Sequence, residues 1–168
     1  MHRLATLADL DAVYSIYMDE TVVPYLGFDP MSLDDFGKVM SDLVECKSFY
    51  IVESGGEVQG FYRVARNKGR SQHSAYLGTF AVAPKARATG LAKSIIETAI
   101  SRLHAEGVTR IELTLEEDNT RALKFYTKLG FELEGTMRSA YKRSSDSHYL
   151  NEILMSKLLP PLAVNSEA

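Results

Sequence analysis

The sequence holds a single cysteine, Cys46, so it can form no internal disulfide and no thiolate metal cage. Such sparing use of cysteine fits a reducing, cytoplasmic setting. Cys46 stands near the end of an apolar-periodic stretch with Glu45 beside it, whereas a reactive thiol needs electropositive surroundings, and it reads as a small packing residue. Long apolar runs are missing as well, and none approaches the ~20 residues that a membrane span needs. Asp9 and Asp11 fall where a secretion leader would need an apolar core, so no leader is expected. A basic stripe is also lacking: the formal net charge is −3 and the pI about 5.8, a balance that argues against a nucleic-acid partner. The densest basic stretch, Arg63 to Arg70, reads as a solvated hairpin end. Gly and Pro are scattered and no internal period is visible, which excludes a repeat or low-complexity architecture.

What is present is a chain of 168 residues, 45% apolar and 24% charged, enough to bury one core. No linker interrupts it, so residues 1–159 are expected to form a single domain and residues 160–168 a frayed tail. Arg3 to Ala5 suggests a short strand. Thr6 with Asp9, and Ser32 with Asp35, mark the starts of two helices. Phe36, Val39, Met40, Leu43 and Val44 give the second helix an apolar stripe. The period then shortens. Ser48 to Glu53 and Val58 to Ala65 read as strands joined by Ser54-Gly55-Gly56, and Ser74 to Ala83 as a third that stops at Pro84. Gly90 to Glu106 has helical spacing and ends at Gly107. Arg110 to Glu116 alternates apolar and polar residues as a half-buried strand does, with Glu116 on the outward set. A short helix over Asn119 to Leu129 and a final strand pair, Phe131 to Tyr141 and Tyr149 to Leu158, complete the order β-α-α-β-β-β-α-β-α-β-β. Such an order predicts an α+β fold with a mixed, mainly antiparallel central sheet covered by helices.

The most informative stretch runs from Val82 through Pro84, Arg87 and Gly90 to Ala92, where a strand ends, a polar turn follows and a helix begins. The first amides of a helix lack internal partners and carry partial positive charge, so this turn could hold a diphosphate. Gly90 permits close approach to the backbone, Ala88 and Ala92 keep it open, and Lys85 and Arg87 add charge. The turn is not a Walker loop, having no Gly-Lys-Ser/Thr, and not a dinucleotide fingerprint, having no G-x-G-x-x-G.

Arg87, Gly90 and Ala92 resemble the Arg/Gln-x-x-Gly-x-Gly/Ala signature of the GNAT N-acetyltransferase superfamily. About thirty residues on, Asn119, Ala122, Phe125, Tyr126, Lys128, Gly130 and Phe131 are similar to the second signature of that superfamily, Asn-x-x-Ala-x-x-Phe-Tyr-x-Lys-x-Gly-Phe. The element order matches along nearly the whole chain. The resemblance implies a GNAT-like acyl-CoA N-acyltransferase fold and an acetyltransferase that moves acetyl from acetyl-CoA to a primary amine by direct attack, without a metal.

Residue by residue, it implies that Thr79, Phe80, Ala81 and Val82 pair with the pantetheine arm. Arg87, Ala88, Thr89, Gly90, Leu91 and Ala92 would wrap the pyrophosphate, Asn119 would hold the arm, and Tyr126 would face the sulfur as general acid. Read from spacing alone, Asn119 is a helix N-cap and Tyr126 part of a core stripe with Ala122, Phe125 and Leu129. The base is open. Tyr76 to Val82 contains no acid, and His73, Glu116 and Glu20 each read more naturally as surface residues. Glu134 to Arg138, with Tyr149, Glu152, Met155 and Leu158, looks like the branch that acetylates diamines, amino acids and protein N-termini. The acceptor expected is therefore a small amine, an amino acid or a peptide N-terminus. Glu20, Tyr25 and Asp29 in the first loop are candidates to bind it, their acidic charge suiting a cation. A non-catalytic coenzyme-A-binding sensor or interaction module on the same fold is the alternative, and a homodimer is left open.

Overall fold

In the computed structural model, which describes residues 1–161, strands β1 (His2–Leu4), β2 (Phe49–Ser54), β3 (Glu57–Arg66), β4 (Ser74–Val82), β5 (Arg110–Glu116), β6 (Glu132–Tyr141) and β7 (Leu150–Leu158) form one sheet. Its order is β1-β2-β3-β4-β5-β7-β6. Only β4 and β5 pair in parallel; every other neighbouring pair is antiparallel. Helices α1 (Leu10–Tyr17), α2 (Leu33–Glu45), α3 (Leu91–Ala105) and α4 (Thr120–Lys128) accompany it. The order and the mixed, mainly antiparallel sheet are those expected from the sequence; the helix read as opening at Thr6 begins with a 3-10 turn (Leu7–Asp9) before α1, and the other sequence-read boundaries fall within about two residues of the observed ones. The tail expected over residues 160–168 lies, from residue 162 onward, outside the described residues.

Local chemistry sets the elements. Ser32 Oγ accepts from Asp35 N at 3.2 Å and starts α2. Asp9 accepts from Thr6 N at 2.8 Å and is also held by Arg3, at 2.6 and 2.8 Å, which in turn binds Glu53. The signal read as a helix start is therefore also an ion-pair network that ties β1 to β2. Gly55 and Gly56, with φ of +61° and +77°, close the β2–β3 hairpin. Cys46 departs from its expected packing role: α2 ends at Glu45, and Cys46 caps it in an exposed position.

Apolar side chains fill the two sides of the sheet. Tyr17, Phe36, Phe49 and Phe61 form an aromatic cluster between α1, α2 and the sheet. Ile95, Ile96, Ala99 and Leu103 bury one face of α3. Gly60, opposite Val82 in the β3–β4 pair, marks a close approach of backbones. A Cβ there would lie 2.6 Å from the Ala81 carbonyl oxygen and 3.3 Å from Val82 Cα. Neither backbone atom can swing away, so Gly60→Ala is expected to cost about 1–3 kcal/mol. The urea midpoint should fall at constant m-value. An unchanged midpoint would show that β4 adjusts freely at Ala81 and Val82.

Candidate active site

Two neighbouring strands part company at the centre of the sheet. The parallel ladder joins Ser74, Ala75 and Tyr76 to Arg110, Ile111 and Glu112 and goes no further. Past Tyr76, the β5-facing edge of β4 has no strand partner, and the gap opens into a cleft of about 570 Å³ bordered by β4, β5, α4, the turn before α3 and the first loop. A bulge lies on the β4 wall. Phe61 opposes Ala81 and Arg63 opposes Gly78, so β4 advances three residues while β3 advances two. Thr79 takes a φ of +48° at this step, a conformation that costs of order 1–3 kcal/mol in a non-glycine residue. The bulge rotates backbone groups of Thr79 and Phe80 out of the ladder.

One end of the cleft meets the start of α3. Ala88, Gly90, Ala92 and Lys93 line it. Ala88 and Gly90 have φ of +61° and +84°, and nothing lies within 4 Å of a Cβ built on Gly90, so the helix start is open to a ligand. The two cations of the turn are engaged elsewhere. Arg87 donates to Thr21 Oγ1 at 2.6 Å and to Asp19 Oδ1 at 3.3 Å, and Lys85 pairs with Glu57. Arg87 thus fastens the first loop to the turn while still lining the cleft, and with Lys93 it adds to the positive field of the helix amides. Thr89 and Leu91 are not among the lining residues. The Thr89 hydroxyl turns back to Ala86 O at 2.8 Å, and Leu91 packs against the core. Arg121, which the sequence reading passed over, does line the cleft.

The other end is polar and deep. Asn119 caps α4, accepting from Ala122 N at 3.1 Å, and its amide donates to Glu116 Oε2 at 3.5 Å. Both the cap role and the cleft position read from the sequence are present. Tyr126 is 8% exposed, its ring held edge-on by Phe125 at 5.1 Å and Phe131 at 5.5 Å. Its hydroxyl has no hydrogen-bond partner among the described residues. Burial pushes the phenol well above its ordinary range, and the neighbouring Tyr76 and Glu116 add to the shift. Phe80 stacks on Phe125 at 6.3 Å and links the bulged strand to α4. Across the gap, Tyr76 Oη and Thr114 Oγ1 are 2.8 Å apart, and Thr114 Oγ1 donates to Glu152 Oε1 at 3.5 Å. Gly78 makes room for this ring, since a Cβ there would lie 2.5 Å from Tyr76 Cε1.

Glu116 is the main departure from the surface role expected for it. It lines the cleft, is only 6% exposed, and burial raises its carboxyl above the usual range. Period-2 alternation put it outward, but β7, the Asn119 turn and the β6–β7 connection cover that end of β5. His73 and Glu20 are exposed, as expected. Of the three loop candidates, Tyr25 borders the cleft, whereas Glu20 and Asp29 are not among its lining residues. The Asp29 carboxylate accepts from Ser144 N at 3.0 Å. The loop is anchored further by Tyr141, which donates to Leu26 O at 2.8 Å, and by Arg143, which donates to Pro24 O at 2.7 Å and grips Asp118 with both guanidinium nitrogens.

The sequence matches the model of the Acetyltransferase (GNAT) family over residues 10–131. N-alpha-acetyltransferase 30 of Saccharomyces cerevisiae is 34% identical over 91 residues, 54% of this chain and 47% of the relative. Ribosomal protein bS18-alanine N-acetyltransferase of Haemophilus ducreyi is 33% identical over 85 residues, 51% of this chain and 58% of the relative. The chain thus spans about half the length of these two relatives, and 25% to 32% of the mycothiol acetyltransferases that it also matches. Among solved structures, ribosomal-protein-alanine N-acetyltransferase from Brucella melitensis superposes with a TM-score of 0.74 at 23% identity, over 95% of this chain and 99% of that one. A Salmonella typhimurium protein solved with its cofactor acetyl-CoA gives 0.72 at 17% identity, over 100% and 98%. At these identities the structural likeness establishes the fold.

Proposed function

The chain belongs to the acetyltransferase (GNAT) family, and on that premise we propose that it transfers an acetyl group from acetyl-CoA to a primary amine, with Tyr126 as the acid that protonates the departing sulfur. The observation that carries this reading is the parted β4–β5 ladder leading to an open helix start. A strand edge without a partner suits an arm that bears amides, and the amides of the α3 start suit a diphosphate, Leu91 N being held only by a long 3.4 Å bond to Thr89 Oγ1. The residues fit acetyl-CoA on both counts. Thr79 to Val82 would pair with the arm, the amides around Ala88, Gly90 and Ala92 would take the diphosphate, and Asn119 would flank the arm. Bound there, acetyl-CoA supplies an activated acyl thioester.

The chain's own part is placement and charge. Holding amine and thioester together contributes through effective molarities that reach ~10⁵–10⁸ M. A backbone N–H of the bulged strand stabilises negative charge on the carbonyl oxygen. The Tyr126 phenol, kept protonated by burial, gives its proton to sulfur. The acceptor reaches this point past Tyr25 and the anchored first loop. Small amines, amino acids and peptide N-termini all fit the reading, and the names of the relatives favour peptide N-termini. The test is release of free thiol from acetyl-CoA over a panel of amines, amino acids and short peptides. Acceptor-dependent release supports an enzyme. Tight coenzyme A binding without release for any acceptor would make the chain a coenzyme-A-binding module instead.

A further inference from the structure

Glu116 and Glu152 face each other across the β5–β7 pair. Like charges directly opposed in a sheet repel, and burying them unpaired adds to the cost. Among the described residues neither carboxylate makes an ion pair. The groups around Glu116 do not neutralise it. On its own strand the nearest polar side chain is Thr114, whose hydroxyl is directed to Glu152. The Asn119 amide reaches it at 3.5 Å. From the β6–β7 connection, Arg143 lends a weak attraction, but its guanidinium is committed to Asp118 and to Pro24 O. Tyr141, from β6, and Tyr126, from α4, are neutral phenols, each pushed higher by the Glu116 charge. Tyr76 closes the far side through Thr114. A buried carboxylate therefore borders the cleft that Tyr126 also lines, and Arg143, the cation that acts on it, is committed to other partners.

We infer that Glu116 binds the acceptor as an alkylammonium ion and takes its proton, and that Glu152 acts through Glu116 as a positioning residue that makes this end of the cleft selective for a cation. The inference rests on the acetyl-transfer reading and names its base and its acceptor charge. In the step, the Glu116 carboxylate removes one N–H proton from R–NH₃⁺ and leaves R–NH₂. The nitrogen lone pair forms the C–N bond as the C–S bond breaks, and the electron pair of that bond goes to sulfur. Tyr126 gives its proton to sulfur and regains one from the acylated nitrogen. Glu116 then returns its proton to solvent, so the sum is one amide, one thiol and one proton. The raised carboxyl values of Glu116 and Glu152 agree with this order, because a carboxylate held above its usual range is the stronger base.

The experiment uses the full chain with saturating acetyl-CoA and with butylamine, ethylenediamine or alanine amide. Glu116→Gln keeps the size of the side chain and an oxygen for Asn119. It should lower kcat/KM for the amine by about 10²-fold or more and abolish the acid limb of the pH profile, with coenzyme A affinity unchanged. Semicarbazide, whose nitrogen is already neutral at pH 7, should lose far less. Glu152→Gln should move the acid limb to lower pH, because removing a like charge lowers the Glu116 carboxyl. Independently of turnover, the carboxyl carbon resonance of Glu116 should shift when butylammonium is added to the wild-type protein with coenzyme A, and should not shift with butanol. A protein whose Glu116 follows butylammonium but which releases no thiol overturns acetyl transfer and keeps the amine site. Thiol release by wild type, with rate and acid limb intact in Glu116→Gln or with a Glu116 resonance indifferent to butylammonium, overturns the inference and keeps the transfer.

Discussion

Gly90→Glu is expected to leave the protein folded and to weaken acetyl-CoA binding by about 10²–10⁴-fold. The helix start at Gly90 would meet a diphosphate through backbone amides, and each charge-assisted bond is worth ~1.5–3 kcal/mol. Losing two of them accounts for the range, at about 1.4 kcal/mol per factor of ten. The new carboxylate would find no free cation within the turn, since Lys85 and Arg87 are already paired with Glu57 and with Asp19 and Thr21. The backbone has its own effect, which must be separated. Gly90 has a φ of +84°, and any residue with a Cβ costs roughly 1–2 kcal/mol there. Gly90→Ala carries that cost without the charge, and its methyl meets nothing within 4 Å. The two variants should therefore lose similar stability on heating, while only the glutamate variant loses most of its calorimetric affinity. Equal affinities in folded wild type and Gly90→Glu would remove the α3 start from the site.

Much of this architecture is legible from short-range chemistry. The limits of β5 follow from strict alternation, and the starts of α2 and α4 from Ser32 and Asn119, because strand period and helix caps depend on neighbours within a few residues. The second family signature likewise found the Asn119 turn and Tyr126. What escaped was set by distant partners. Glu116 looked outward because alternation assigns a face and says nothing of what covers it. The cover comes from β7 and from a connection that Arg143 ties to Pro24, 119 residues away in sequence. Asp29 looked like a free loop carboxylate but also accepts from Ser144 N, 115 residues away, and does not line the cleft. Arg87 does line the cleft, but its tie to Thr21 and Asp19 in the first loop, more than sixty residues away, has no local signal. The bulge at Thr79 has no local signal at all, since a threonine is a poor candidate for a positive φ. It is imposed by the mismatch between β3 and β4.

Tyr126→Phe separates the two roles that the α4 stripe allows. The ring is packed between Phe125 and Phe131, and phenylalanine keeps that packing. The hydroxyl has no hydrogen-bond partner among the described residues, so removing it leaves no donor or acceptor orphaned. A purely structural tyrosine therefore predicts a variant as stable as wild type, or slightly more so, with its rate intact. An acid predicts a fall in kcat of about 10²–10⁴-fold with acetyl-CoA affinity nearly unchanged, because the proton is needed only as sulfur departs. Burial sets where in that range the value falls. It holds the phenol above its ordinary value of about 10, while an ordinary thiol ionises near 8.5. Transfer to sulfur is then uphill unless the acylated nitrogen gives up its own proton in concert, and a water in the place of the hydroxyl would recover part of the loss. The lower end, about 10²-fold, is the expected result. Because the phenol stays protonated across the working pH range, the variant should also keep both limbs of the wild-type pH profile, and only its height should drop. The measurement is a single-turnover rate, which excludes product release. A phenylalanine variant that retains more than half of the wild-type rate would return Tyr126 to the core and leave the departing sulfur to be protonated by solvent.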